Sequence, residues 1–440
     1  MLNFYDNLKL TLVNQQRGEM NMILYLRMKK SKLTKGFNFI SGKIHLPPGK
    51  RLILTALFLT SAFLLSSCGP SGTTTTDPST RTETTIANNY VQLGAEQVVL
   101  ASSNRFGIQW FPDTVSTVIP TGDYPFRILL TAGEMGSYLL EGSDLFHLTK
   151  CVGPILEKGG AGTIDNGYAG ISGAVAYGNT IFAIYHTEDH ENMPSLGGGV
   201  SGYYSTVSLA KSTDNGHSFS KLGQIIASQK GKDYNNGQAD RGAGEPCMVE
   251  TQDGNLYIYY VDHSRVNGRG CQIFLARCPK PSNPNGLSDF TFTKYYNGDF
   301  SQSGIIDATN PWSTGGLDTP VLSGQIINSA DATFPSVYYS KGLGKYIMVL
   351  NLVVWKEWQS SGSQPNLNGI YYATSTNGIQ WSAPVQIIRD WSLAYGTNEF
   401  IWHPSIVWDS DDHLSGYLVY SKGNQNTTHY MVCRRIQLLQ

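Results

Sequence analysis

Short runs of Val, Ile, Leu, Tyr and Phe alternate with clusters of Gly, Asn, Asp and Ser through the second half of the chain, and no run keeps the 3.6-residue period of an amphipathic helix. One phrase recurs with variation. Glu245-Pro246-Cys247-Met248-Val249 leads through Asp253-Gly254-Asn255 into Leu256-Tyr257-Ile258-Tyr259-Tyr260. Phe334-Pro335-Ser336-Val337 leads into Lys345-Tyr346-Ile347-Met348-Val349-Leu350, and His403-Pro404-Ser405-Ile406-Val407 into Gly416-Tyr417-Leu418-Val419-Tyr420. A period of tens of residues built from strands predicts repeated small sheets.

Five such units can be laid out. Their predicted strands are 114–119, 126–131 and 137–141; 170–177, 180–186 and 204–212; 246–251, 255–262 and 272–277; 335–339, 346–352 and 369–375; and 404–408, 416–421 and 429–434. The expected fold class is all-β, a five-bladed β-propeller of four-stranded antiparallel blades over 95–440. Two third strands end in a tight turn before an aromatic residue, Ser212-Thr213-Asp214-Asn215-Gly216-His217-Ser218-Phe219 and Ser375-Thr376-Asn377-Gly378-Ile379-Gln380-Trp381. The first looks like the Asp-box of sialidases, a motif that serves mainly as a hairpin device.

The N-terminus bears on location. An apolar run at 52–65 follows Lys50-Arg51 and the lysines at 29, 30, 32 and 35, and it ends at Leu65-Ser66-Ser67-Cys68-Gly69. The run is short for a membrane span but suits a signal-peptide core. Leu-Ser-Ser-Cys resembles the lipobox of bacterial lipoproteins, which implies cleavage before Cys68 and acylation of its thiol. Residues 1–67 are then a removed signal region, with Met20, Met22 or Met28 as alternative starts, and the protein is expected at the cell envelope, lipid-anchored to the outer membrane or cell surface. The stretch 68–94 reads as the lipidated Cys68 and a flexible Thr/Ser tether.

A net charge of -1 gives no basic surface for nucleic acid, and 40% hydrophobic residues support a large core. Cys151, Cys247, Cys271, Cys278 and Cys433 are odd in number, and three of them lie in strand-like runs, so they read as buried thiols. No cysteine or histidine spacing resembles a zinc site. The oligomeric state is left open.

In blade rhythm over 106–440 the chain resembles the five-bladed propeller glycoside hydrolases, the arabinanases, β-xylosidases and fructan-cleaving enzymes. In that group an Asp of the first blade is the base, an Asp of the second orients and tunes, and a Glu of the third is the acid. Asp113 and Glu245 match the first and last roles. The second-blade strand Gly170-Ile171-Ser172-Gly173 carries no acid, so Asp165, or Glu188 and Asp189 across the rim, must substitute.

Strand direction gives a separate argument. In an up-and-down sheet, residues just before each first strand and just after each second strand converge on one opening. That opening gathers Asp113, Asp165, Glu245, Asp331, Trp402 and His403 from one set, and His186, Glu188, Asp189, Asp262, Arg265 and Trp358 from the other. Paired carboxyls there suit glycosidic cleavage, which needs one protonated acid and one ionised carboxylate. The expected catalytic residues are Asp113, Glu245, Glu188 and Asp165. The expected substrate contacts are His186, Asp189, Asp262, Arg265, Asp331, Trp358, Trp402 and His403, the tryptophans as stacking platforms.

No cofactor is expected, with a structural calcium ion in the central channel left open. Few arginines flank the opening, so the expected partner is a neutral oligo- or polysaccharide rather than an anionic sugar. A sialidase-like enzyme and a non-catalytic glycan-binding propeller at the cell surface are the competing readings.

Overall fold

The computed structural model describes residues 8–16, 19–26, 42–44, 83–101, 106–120, 122–195, 201–232, 240–264, 271–322, 330–353, 367–390, 399–424 and 430–439. Two compact units divide the chain, Met1–Thr74 and Thr75–Gln440. In the first, β1 (Leu8–Gln16), β2 (Glu19–Leu26) and β3 (Gly42–Ile44) form an antiparallel sheet that the signal-region reading did not anticipate. The alternation of Leu8, Leu10 and Leu12 with Lys9 and Thr11 is its sequence trace.

The second unit is all-β, with no α-helix among the described residues. Sheet I holds β6 (Thr117–Val118), β7 (Phe126–Thr131), β8 (Ser137–Gly142) and β9 (Leu148–Leu156). Sheet II holds β10 (Tyr168–Tyr177), β11 (Thr180–Asp189), β12 (Tyr203–Ser212) and β13 (Ser220–Ile226). Sheet III holds β14 (Asp240–Glu250), β15 (Asn255–Asp262), β16 (Gln272–Pro279), β17 (Thr293–Tyr296) and β18 (Asp299–Ser303), and a short parallel pairing of β12 with β14 joins it to sheet II.

The last two sheets each borrow an N-terminal strand. β19 (Asp331–Ser340), β20 (Lys345–Val353), β21 (Gly369–Ser375) and β22 (Val385–Asp390) make sheet IV, edged by β4 (Glu83–Thr85). β23 (Glu399–Trp408), β24 (Ser415–Asn424) and β25 (Tyr430–Leu438) make sheet V, completed by β5 (Val91–Leu100). Sheet-forming chain therefore begins upstream of Ala95, inside the segment read as tether. Val91 and Leu100 explain why, since both are buried. Glu96 adds an ion pair to Lys422 at 2.9 Å.

Alternating strands give each sheet two apolar faces, and each face packs on a neighbour. Ile119, Leu129 and Leu139 of the sheet I region pack with Ile171, Ala183 and Tyr185 of sheet II. Phe182, Ile184 and Leu209 meet Leu256, Ile258 and Tyr260. Tyr259, Val261 and Ile273 of sheet III meet Val337, Met348 and Leu350 of sheet IV. Ile347, Val349 and Ile370 meet Ile406, Leu418 and Val432 of sheet V. Val407, Val419 and Met431 of sheet V meet Ile128, Leu130 and Leu140 of sheet I.

The two aromatic-flanked turns act as clasps between sheets. Arg127 of β7 is fully buried, and its guanidinium donates to Asn215 Oδ1 at 3.1 Å and to the Asn215 carbonyl while pairing with Glu141 at 3.0 Å. Tyr259 of β15 donates its hydroxyl to the Gly378 carbonyl at 2.5 Å. In both, the turn of one sheet satisfies a buried polar group of the sheet before it, so the Asp-box-like motif is structural here.

Candidate functional site

The repeated Xaa-Pro phrase builds the site. Glu245, Phe334 and His403 each stand before proline, and each has a left-handed backbone, with φ of 48°, 51° and 56°. The strand register shifts at all three: between Gly244 and Cys247, Thr333 and Ser336, and Trp402 and Ser405. These are β-bulges, in which two residues oppose one and a side chain is re-aimed. Proline fits because a bulged position has no ladder bond to donate. A fourth shift, between Ile171 and Gly173 in β10, displaces Ser172.

All four displaced residues line one cavity of about 150 Å³, together with Asp113, Thr114, Val115, Tyr168, His186, Glu188, Tyr203, Pro246 and Trp402. Positive φ in residues bearing a β-carbon costs of order 1–3 kcal/mol each, and such strain gathers where a side chain must be aimed.

Glu245 is the most constrained of these. Its Oε2 accepts the Thr333 hydroxyl and the Phe334 N–H at 3.1 Å, while Oε1 lies 3.5 Å from His263 Nε2. Burial pushes its carboxyl up to about 7, outweighing the Thr333 and Phe334 donors that pull the other way, and the Asp331 charge adds to the rise.

Glu188 stands opposite in character. His186 Nε2 is 3.0 Å from its Oε1, and His190 Nε2 is 2.7 Å from its Oε2. Burial alone would raise this carboxyl, but the two imidazole partners win and bring it down to about 2. The same contact raises His190. Glu188 is therefore an anion throughout the range in which Glu245 titrates.

Asp113 completes the acidic group. Burial holds its carboxyl well above the usual range, and the charges of Glu188, Glu245 and Glu134 add to that rise against the Tyr168 hydroxyl. Tyr168 also donates to the Asp113 carbonyl at 2.7 Å, which fixes the loop entering β6.

Six of the expected residues line this cavity: Asp113, Glu245, Glu188, His186, Trp402 and His403. Others are placed elsewhere. Asp165 pairs with Lys221 at 2.5 Å and accepts the Thr163 hydroxyl, outside the cavity lining, so of Asp165, Glu188 and Asp189 only Glu188 lines the cavity. Asp189 points away from Glu188, as adjacent residues of a strand do, and binds Lys232, Trp312 and Asn166.

Asp262 accepts from Ser228 and from the Ser264 N–H. Burial and the Asp318 charge raise its carboxyl. Asp331 takes the Cys271 N–H at 2.7 Å. Both are buried and absent from the cavity lining. Arg265, Trp358 and Cys68 lie outside the described residues.

His186 also departs from its expected role. Its Nδ1 accepts the Glu245 N–H at 2.8 Å and its Nε2 faces Glu188, so both ring nitrogens are engaged within the protein. Sequence reasoning passed over Tyr203 as a site residue, although it lines the cavity with its ring edge-on to His186 and His263. It follows a Gly-rich insertion, and no local motif marks it. Phe334 was visible as the counterpart of Glu245 in the Xaa-Pro phrase, whereas no proline follows Ser172 and only the register shift marks it. Among the described residues, no group of three or more His, Cys, Asp or Glu is placed to hold a metal ion.

No family model and no curated protein matches the chain. Solved structures do overlap it. One described as a glycoside hydrolase aligns over 80% of this chain and 89% of its own, at 11% identity and TM-score 0.45. An α-L-arabinofuranosidase from Lactobacillus brevis aligns over 74% and 90%, at 12% identity and TM-score 0.45. An N-acetylgalactosamine deacetylase from F. plautii aligns over 79% and 95%, at 10% identity and TM-score 0.42. Overlap at these values assigns no activity, which is left to the residues of the cavity.

Proposed function

We propose that this chain is a glycoside hydrolase of neutral glycans, built as a five-bladed β-propeller whose blades are sheets I to V. The succession of five apolar interfaces, each joining one sheet to the next and the last joining sheet V to sheet I, supports the architecture. The observation that carries the chemistry is the separation of two carboxyls in one cavity, Glu245 pushed up to about 7 and Glu188 brought down to about 2. Groups whose surroundings drive their proton affinities apart divide into acid and anion.

Glu245 serves as the general acid, giving its proton to the leaving glycosidic oxygen as that bond breaks. Asp113 is the second carboxyl; burial disfavours its ionised form, so the working state is the one in which it is the carboxylate while Glu245 holds the proton. In that state it takes a proton from the water whose oxygen bonds to the anomeric carbon, and the charge left on Glu245 raises its proton affinity as it does so, or it attacks that carbon directly and the resulting ester is cleaved by water that returns its proton to Glu245. Glu188 stays anionic and stabilises positive charge developing on the sugar ring.

Tyr168, Phe334 and Trp402 offer apolar faces to a ring, and none of the described cavity-lining residues is Lys or Arg. Three carboxyls in one lining disfavour an anionic sugar, which argues against the sialidase-like reading. We place the protein at the cell envelope, anchored through acylated Cys68, on the strength of the lipobox-like Leu65-Ser66-Ser67-Cys68. Mass analysis of the mature N-terminus tests that placement, with an unmodified or uncleaved terminus counting against it.

A panel of neutral oligosaccharides and glycosides tests the activity. Wild-type protein releases reducing sugar from at least one, and Glu245→Gln loses that release while still binding the same glycan. Binding without release by wild type would favour a glycan-binding role instead.

A further inference from the structure

The Glu245 bulge leaves a backbone N–H with no place in the sheet ladder, because the β14–β15 register jumps from Gly244 to Cys247. A buried N–H without an acceptor costs roughly 1–3 kcal/mol, so something must take it. The acceptor is a side chain from the neighbouring sheet, His186 Nδ1 on β11, at 2.8 Å.

A ring nitrogen that accepts an N–H carries no proton itself. The other nitrogen, Nε2, must therefore bear the hydrogen that it donates to Glu188 Oε1 at 3.0 Å. The two contacts place the ring hydrogen on Nε2. Tyr168 from β10 and Tyr203 from β12 stand edge-on to it at 5.5 and 6.3 Å between ring centroids, and the carboxyls facing it are Glu188 and Glu245. Gly244 supplies the room, since a β-carbon there would meet the imidazole at 2.3 Å.

The geometry points to His186 as a positioning residue for the acid: one imidazole, fixed between the Glu245 backbone N–H and the Glu188 carboxylate, holds the left-handed backbone that aims the Glu245 side chain into the cavity. This rests on the glycosidase reading of the site. Glu188 is then more than a fixed charge, because through the ring it anchors the acid's main chain. The two ring nitrogens have separable duties, which gives the test.

An asparagine at this position places its amide oxygen where Nδ1 lies and keeps the acceptor for Glu245. A glutamine places its amide nitrogen near Nε2 and keeps the donor for Glu188. We compare wild type, His186→Asn, His186→Gln and Gly244→Ala on a glycoside with a sugar leaving group and on its dinitrophenyl counterpart, whose leaving group needs no proton.

The expected result is a loss of about 100-fold in kcat for His186→Gln and Gly244→Ala on the sugar leaving group, with little loss on the dinitrophenyl glycoside. His186→Asn stays roughly tenfold or more above His186→Gln. Equal losses on both substrates, or indistinguishable Asn and Gln variants, would overturn the proposal while leaving the glycosidase reading intact. If wild type hydrolyses neither substrate, the glycosidase reading fails. The positioning role is then read from the imidazole nitrogen-15 spectrum and amide exchange. A bare Nδ1 with a protonated Nε2, and a Glu245 amide protected in His186→Asn but not in His186→Gln, supports it; a protonated Nδ1 or equal protection overturns it.

Discussion

Nε2 of His190 lies 2.7 Å from Oε2 of Glu188, at the end of the strand that carries both. This pair makes stability depend on pH in two directions. Glu188 has its folded value below the ordinary 4.5, so its contribution is complete above that value and is lost as pH falls toward about 2. His190 has its folded value above the ordinary 6.5, so its contribution is present below 6.5 and is lost as pH rises through the raised value. Both act together between 4.5 and 6.5. Glu188→Gln is expected to cost up to roughly 3 kcal/mol in that window, with the gap to wild type closing toward pH 2. Urea midpoints measured from pH 3 to 8 check the shape of this curve; a difference independent of pH would count against the pairing.

Glu245 has the opposite sign. Its folded value of about 7 exceeds the ordinary 4.5, so the folded state binds the extra proton between those values and stability falls as pH rises across them. Glu245→Gln keeps an oxygen for the Thr333 and Phe334 donors and removes the charge. It should be more stable than wild type at pH 8, by up to roughly 3 kcal/mol, and nearly equal at pH 4. Thermal unfolding at the two pH values measures this, and a variant less stable at pH 8 would refute it.

Arg127 and Glu141 are both fully buried as an ion pair, and Arg127 also clasps the Asn215 turn. Without Arg127, Glu141 keeps Lys150 at 2.8 Å, so the loss falls below the roughly 3–5 kcal/mol of an uncompensated buried charge. Arg127→Ala should lose about 2–3 kcal/mol in urea denaturation, and Asn215→Ala about 1 kcal/mol, since it removes one side-chain hydrogen bond. Equal effects would mean that the charge pairing is not the main contribution.

Strand β5 covers the edge of sheet V with Val91 and Leu100 buried and Glu96 tied to Lys422. Deleting residues 1–100 uncovers an apolar sheet edge, which templates association. That truncation is expected to aggregate, whereas deletion of residues 1–82, which spares β4 and β5, leaves the protein soluble. Light scattering separates the two outcomes.

Much of this was legible in the chain. Glu245-Pro246, Phe334-Pro335 and His403-Pro404 mark three equivalent bulges because proline disfavours a ladder position, and the alternating aromatic strands between them fix which sheets face each other. The roles of acidic residues were harder to read. The strand predicted to end at His186 runs to Asp189, and that extension puts Glu188 on the cavity side and Asp189 on the other. Asp165 looked like a rim acid because its partner Lys221 is remote in sequence. Asp262 and Asp331 serve backbone N–H groups of nearby loops, a duty that composition does not reveal. The outer strand of sheet V was missed since it comes from the opposite end of the chain.

Glu245 and Glu188 share one cavity with proton affinities driven far apart. Carboxyl carbon-13 titration, with Glu245→Gln and Glu188→Gln used to assign the signals, reads it directly. The Glu245 signal should titrate at about 7 and the Glu188 signal should still be ionised at pH 3. Two signals titrating together near 4.5 would contradict it.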